Sequence, residues 1–172
     1  MTPGPCRRAL LAGFTLACLA PAALADPLPA PAGPVILTIH GAIQHDNTNG
    51  QARFDLDMLR GLDARKVVTT TIWTEGVQHF TGVSLDVLLD HVGADGTIIK
   101  ARAINDYSVE IPVSDATPDG ALLAYAIDDA PMSRREKGPL WIVYPYDASA
   151  EYRSEVIYAR SIWQLDRIEV IR

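Results

Sequence analysis

The sequence predicts an α+β domain: a mixed β-sheet carrying a few short helices. Three observations lead there. Strand-like segments outnumber helical ones, the helical stretches are short, and strands do not alternate regularly with helices. A doubly wound parallel sheet needs that alternation.

The elements follow in order. Val35-Ile-Leu-Thr-Ile-His40 reads as a strand. Residues 41–50 form a polar loop that ends on Asn49-Gly50, a turn signal. Phe54 to Gly61 reads as a short helix, with Phe54, Met58 and Leu59 on one face. Arg65 to Thr74 is a strand rich in β-branched threonine. Phe80-Thr-Gly82 reads as a glycine turn leading into a helix capped by Ser84. Leu85, Leu88, Leu89 and Val92 form that helix's apolar stripe, and Gly93 ends it. Thr97–Ile104 and Tyr107–Val113 are strands joined by a tight Asn105-Asp106 hairpin. In the second, Tyr107, Val109, Ile111 and Val113 alternate with polar residues, so one face is expected to be buried. Ala121–Ile127 is an apolar strand that stops at the Asp128-Asp129 turn. Pro139–Pro145 is a buried strand, and Ile162–Ile171 closes the domain. Glu151–Arg160 stays open between coil and a helical turn.

Residues 1–25 read as a signal peptide. Arg7 and Arg8 supply the basic start, Leu10 to Ala20 the apolar run, and Ala23-Leu24-Ala25 the cleavage site. The mature chain would begin at Asp26 in the periplasm, with Sec and twin-arginine export both open. Cys18 resembles a lipidation site, but the apolar run continues past it to a better cleavage site. Residues 26–34, rich in proline, read as an extended, unpacked tether, and residues 35–172 as one domain. The two cysteines, Cys6 and Cys18, both lie in the leader, so the mature chain has no disulfide and no thiolate. The full chain's net charge of −6 becomes more acidic once Arg7 and Arg8 are removed. That argues against nucleic acid as a partner, which needs a clustered positive footprint.

Four segments, in this order and spacing, resemble the sulfite-oxidase-type oxidoreductase molybdopterin-binding domain. They are Phe80-Thr-Gly-Val-Ser-Leu85 with its helix, Ile104–Pro112, Leu122–Met132 and Gly138-Pro-Leu-Trp-Ile-Val-Tyr-Pro145. The resemblance spans about residues 35–172 and implies a sulfite-oxidase-like fold with a pterin as cofactor, molybdopterin among the candidates. It is nearest to a small exported branch that includes PruR-type periplasmic pterin-binding proteins. Members of that branch imply a partner, the periplasmic domain of a membrane signalling protein. The family's molybdenum-binding cysteine aligns with Thr70. A hard hydroxyl replaces a soft thiolate poorly on molybdenum. Trp141 stands where larger members carry a basic residue, and the dense basic cluster is Ser133-Arg-Arg-Glu-Lys137. Both departures point to a bare pterin with no metal.

A pterin needs an aromatic wall and a few polar groups for its amide-like edge. Trp73, Phe80 and Tyr107 are the candidate walls. Thr74, Asn105, Asp106 and Arg160 are the candidate edge partners, and Thr70 joins the ligand contacts. Each has a plainer competitor. Trp73 and Phe80 also suit ordinary core packing, and Asn105-Asp106 simple turn chemistry. The threonines of 69–71 suit β propensity alone, and Arg134, Arg135 and Lys137 suit a solvated loop. The histidines are His40, His45, His79 and His91; none has metal-ligand spacing. His91 is expected to be exposed and His79 to reach the pocket rim. No Gly-x-Ser-x-Gly elbow and no Gly-rich phosphate loop is present. With no catalytic set in view, the leading reading is a periplasmic pterin receptor. The alternative is a molybdopterin-dependent oxidoreductase or a subunit of one, and a carrier with a decayed pocket comes third.

Overall fold

The computed structural model describes Met1 and residues 28–172. The leader and its cleavage site therefore lie outside the described residues. Within them the chain runs β1 (Leu37–Gly41), β2 (Gln51–Phe54), α1 (Leu56–Arg60), β3 (Ala64–Thr70), β4 (Val77–Ser84), α2 (Leu85–His91) and β5 (Ile98–Ala103). It continues with β6 (Ser108–Pro112), β7 (Leu122–Ile127), β8 (Ala130–Pro131), β9 (Leu140–Val143), α3 (Glu155–Arg160) and β10 (Trp163–Ile171). One sheet takes all ten strands in the order β2-β1-β10-β9-β7-β4-β3, with β5 attached to β10, β6 to β5 and β8 to β7. Only β1 with β10 is parallel, so the sheet is mixed and the α+β class holds.

The continuous apolar runs of β7 and β9 follow from burial on both sheet faces. Leu123 and Tyr125, with Leu140 and Ile142, enter the main core. Their neighbours Leu122 and Ala124, with Trp141 and Val143, enter a smaller cluster with Val67 and Phe80. The two-residue strand period sorts one run onto two cores. Leu85, Leu88, Leu89 and Val92 of α2 all pack into the main core, as their spacing predicts.

Several expectations are corrected. Phe80-Thr-Gly82 is no turn; it lies inside β4. The glycine is needed because a Cβ there would collide with the Leu123 carbonyl of β7, where a bulge separates Thr81 from Gly82. Phe54 ends β2 rather than entering the helix, because Asp55 caps α1 by accepting from the Met58 amide. The same carboxylate accepts from the Ala32 and Gly33 amides, and Leu28 is buried. The proline-rich segment is thus tied down from Leu28 onward rather than unpacked. Ser84 precedes α2 without a side-chain cap bond; its hydroxyl donates to the Pro118 carbonyl. Tyr107 is exposed rather than buried, since β6 begins only at Ser108. His91 is half-buried, with its ring 6.1 Å from Phe54. Burial and the nearby His45 hold its pKa below the usual histidine value. The ambiguous stretch 151–160 resolves as a short 3-10 turn and α3, which Ser154 caps.

Candidate ligand-binding site

β3 stops at Thr70 because residues 71–76 fold into a threonine-stitched turn. Thr71 Oγ1 accepts from the Trp73 amide and lies 2.7 Å from Thr74 Oγ1. This turn carries Trp73 to the junction of the two cores. Its ring meets Trp141, Tyr146, Tyr158 and Trp163 edge-to-face, at centroid separations of 5.7–6.1 Å. Edge-to-face packing is the favoured geometry for aromatic pairs and fixes each ring's orientation.

Beside Trp73 opens a cleft of about 350 Å3 lined by Tyr107, Tyr158 and Trp163, with Asn105, Ser161 and Gln164 as its polar members. That volume is at the small end of the usual range for ligand pockets, about 300–1,000 Å3. Trp163 and Gln164 project here because β10 is bulged between Trp163 and Leu165, and Gln164 takes φ 52°. Ser161 is already committed: its hydroxyl accepts from Tyr146 and donates to the Ile157 carbonyl. Burial pushes the Tyr146 hydroxyl up to about 12, so it stays protonated. Lys137 places Nζ 4.4 Å from the Trp163 ring centre and 5.1 Å from that of Trp141.

Three of the expected site residues meet at this cleft: Trp73, Asn105 and Tyr107. Phe80 is fully buried, edge-on against Trp141, and belongs to the core. Thr74 lines a separate cavity with Ile127, Met132, Glu136 and Lys137. Asp106 has φ 68°, which turns it away from Asn105; it pairs with Arg167 at 2.9 Å and Arg102 at 3.8 Å. Arg160 is held by Asp115 at 2.9 Å, and Tyr144 donates to the same carboxylate. Burial and the Asp115 charge raise the Tyr144 pKa far above the usual tyrosine value. His79 is itself exposed on β4 and lines neither this cleft nor the Thr74 cavity. The residues that sequence reasoning missed are Tyr158, Trp163 and Gln164. Trp163 and Gln164 depend on a bulge, and Tyr158 on α3, whose helical character was ambiguous.

A family model described as the oxidoreductase molybdopterin binding domain matches residues 38–170. The chain belongs to this family. Among solved structures, this molybdopterin-binding domain is similar to the sulfane dehydrogenase SoxCD from Paracoccus pantotrophus, with a TM-score of 0.57 and 16% identity. The match covers 78% of this chain and 37% of that one, and at this identity it is a likeness of fold. No curated protein matches the chain.

The sequence reading sets Thr70 against the family's metal-binding cysteine, so the donors around Thr70 test the fit to molybdenum. Thr70 donates its hydroxyl to Asp147 Oδ1 at 2.8 Å and its amide to Oδ2 at 2.6 Å. The Asp147 amide in turn donates to Thr69 Oγ1. These bonds, the Thr70 amide foremost, hold the Asp147 carboxyl below the usual aspartate pKa, so it stays charged beside Thr70. No cysteine occurs in residues 28–172. A hydroxyl engaged with a carboxylate is no soft donor. This donor set does not fit molybdenum.

Proposed function

We propose that this protein is a periplasmic pterin receptor that binds the ring in the Trp73 cleft, without molybdenum, and signals to a membrane partner. One observation carries the reading. A member of a molybdopterin-binding family keeps an aromatic cleft with Trp73 at its hub, while its Thr70 is clamped to Asp147. Ring stacking against a side chain is worth about 1–3 kcal/mol, by analogy with nucleobases. Trp73, Tyr107, Tyr158 and Trp163 supply that wall, and Asn105 and Gln164 supply the polar contacts. Export rests on the Arg7-Arg8 start and the Ala23-Leu24-Ala25 site. N-terminal sequencing of the exported form is expected to start at Asp26.

Family membership itself favours a second reading, a molybdopterin-dependent oxidoreductase or a subunit of one. Elemental analysis and fluorescence of the purified protein separate the two. The receptor reading expects pterin fluorescence and no stoichiometric molybdenum. About one molybdenum per chain would restore the oxidoreductase.

A further inference from the structure

Gln164 is unusual in two ways. It is a non-glycine residue at φ 52°, in the left-handed region, and it lines the cleft. Such a conformation costs free energy and persists where the surroundings hold it. Here four hydrogen bonds hold it. Its amide donates to the Lys137 carbonyl, and its carbonyl accepts from the Ile104 amide. Its side-chain Nε2 donates to the Arg134 carbonyl at 2.8 Å and to the Glu136 carbonyl at 3.2 Å.

Those side-chain bonds settle which way the carboxamide points. Two carbonyl oxygens can face only the nitrogen, and they take up both of its hydrogens. The polar function left to the side chain is Oε1, an acceptor. Asn105 is oriented the opposite way. Its Oδ1 accepts from the Tyr107 amide at 3.2 Å, which leaves Nδ2 as a donor. Both residues line the cleft, and the side-chain groups left to them are an acceptor, Gln164 Oε1, and a donor, Asn105 Nδ2. Asp106, the acceptor that the sequence suggests, is engaged with Arg167 and Arg102 instead.

We propose that Gln164 sets ligand specificity in this cleft: its Oε1 accepts from the amino and imino edge of an aminopyrimidinone ring, while Asn105 donates to a ring carbonyl. The assignment rests on the receptor reading above and adds the residue that reads the ring. Gln164 also anchors the basic loop 133–137, so a change in affinity alone would not separate recognition from loop anchoring. A ratio between two ligands does.

The experiment titrates the full-length exported protein with pterin and with lumazine, in which an oxo group replaces the ring amine. One well-placed hydrogen bond corresponds to about tenfold in affinity. The parent is expected to prefer pterin by about that factor. Gln164→Met, which keeps length but removes the acceptor, is expected to bring the ratio close to one. Gln164→Glu keeps an acceptor while losing the hydrogens that anchor the loop; it is expected to melt at a lower temperature yet still prefer pterin. If Gln164→Met does not fold, a Gln164→Glu ratio near one overturns the assignment. Equal weakening of both ligands in both variants, with the ratio intact, also overturns it, because Gln164 would then only anchor the loop. No saturable binding of either ring by the parent overturns both the assignment and the receptor reading.

Discussion

Arg160 and Asp55 show how single side chains are committed to structure before any ligand arrives. Arg160 and Asp115 form an ion pair with side-chain exposures of only 24% and 15%, and Tyr144 completes it. Removing one partner leaves a sheltered charge poorly satisfied, a cost of about 1–3 kcal/mol. Arg160→Met is therefore expected to lower thermal stability by that amount and to leave pterin affinity unchanged. A calorimetric melt and a titration on the same sample check both halves. Asp55 supplies a pH test. Amide donation from Met58, then from Gly33 and Ala32, holds its carboxyl below the ordinary aspartate pKa. Because the folded value is depressed, the stabilisation is complete above the unfolded pKa of about 3.9 and fades as pH falls through the folded value. Asp55→Asn is expected to melt below the parent at neutral pH, with the gap closing below about pH 4. A gap that persists unchanged into acid would remove the carboxylate's charge from the explanation.

Elements were more legible in the sequence than their junctions. The α2 stripe, the β5–β6 hairpin and the buried β7 and β9 strands stand where periodicity puts them. The misreadings fall where a single residue serves tertiary contacts. Gly82 looked like a turn glycine, yet it marks the close approach of β4 and β7. Gly82→Ala is expected to destabilise the fold by at least about 1–3 kcal/mol, the usual cost of forcing extra atoms into a packed site. Chemical denaturation with an unchanged m-value would be the signature. A neutral outcome would mean the strands are free to separate there. The candidate site was half legible for the same reason. Trp73, Asn105 and Tyr107 sit in or beside tight turns whose signals are local. Trp163 and Gln164 reach the cleft through a bulge in β10, and no pattern of polar and apolar residues announces a bulge. Asp106 reads as an edge partner until its positive φ sends it toward Arg167.

At the scale of the whole molecule, one sheet separates two clusters, and the cleft opens where they meet. Trp73 packs against both, so it is at once a core side chain and the wall of the cleft. The Thr70 amide and hydroxyl are both engaged with the Asp147 carboxylate, and Trp73 follows three residues later. No helix among the described residues is long and apolar enough to cross a membrane. Arg134 and Arg135 sit on the exposed loop that Gln164 anchors. The central claim is that the Trp73 cleft binds a pterin ring. Titration of reduced pterin into the parent and Trp73→Leu, each checked for folding by its melt, tests it most directly. Trp73→Leu is expected to fold and to bind about ten- to a hundredfold more weakly. A folded variant that binds as tightly as the parent would contradict it.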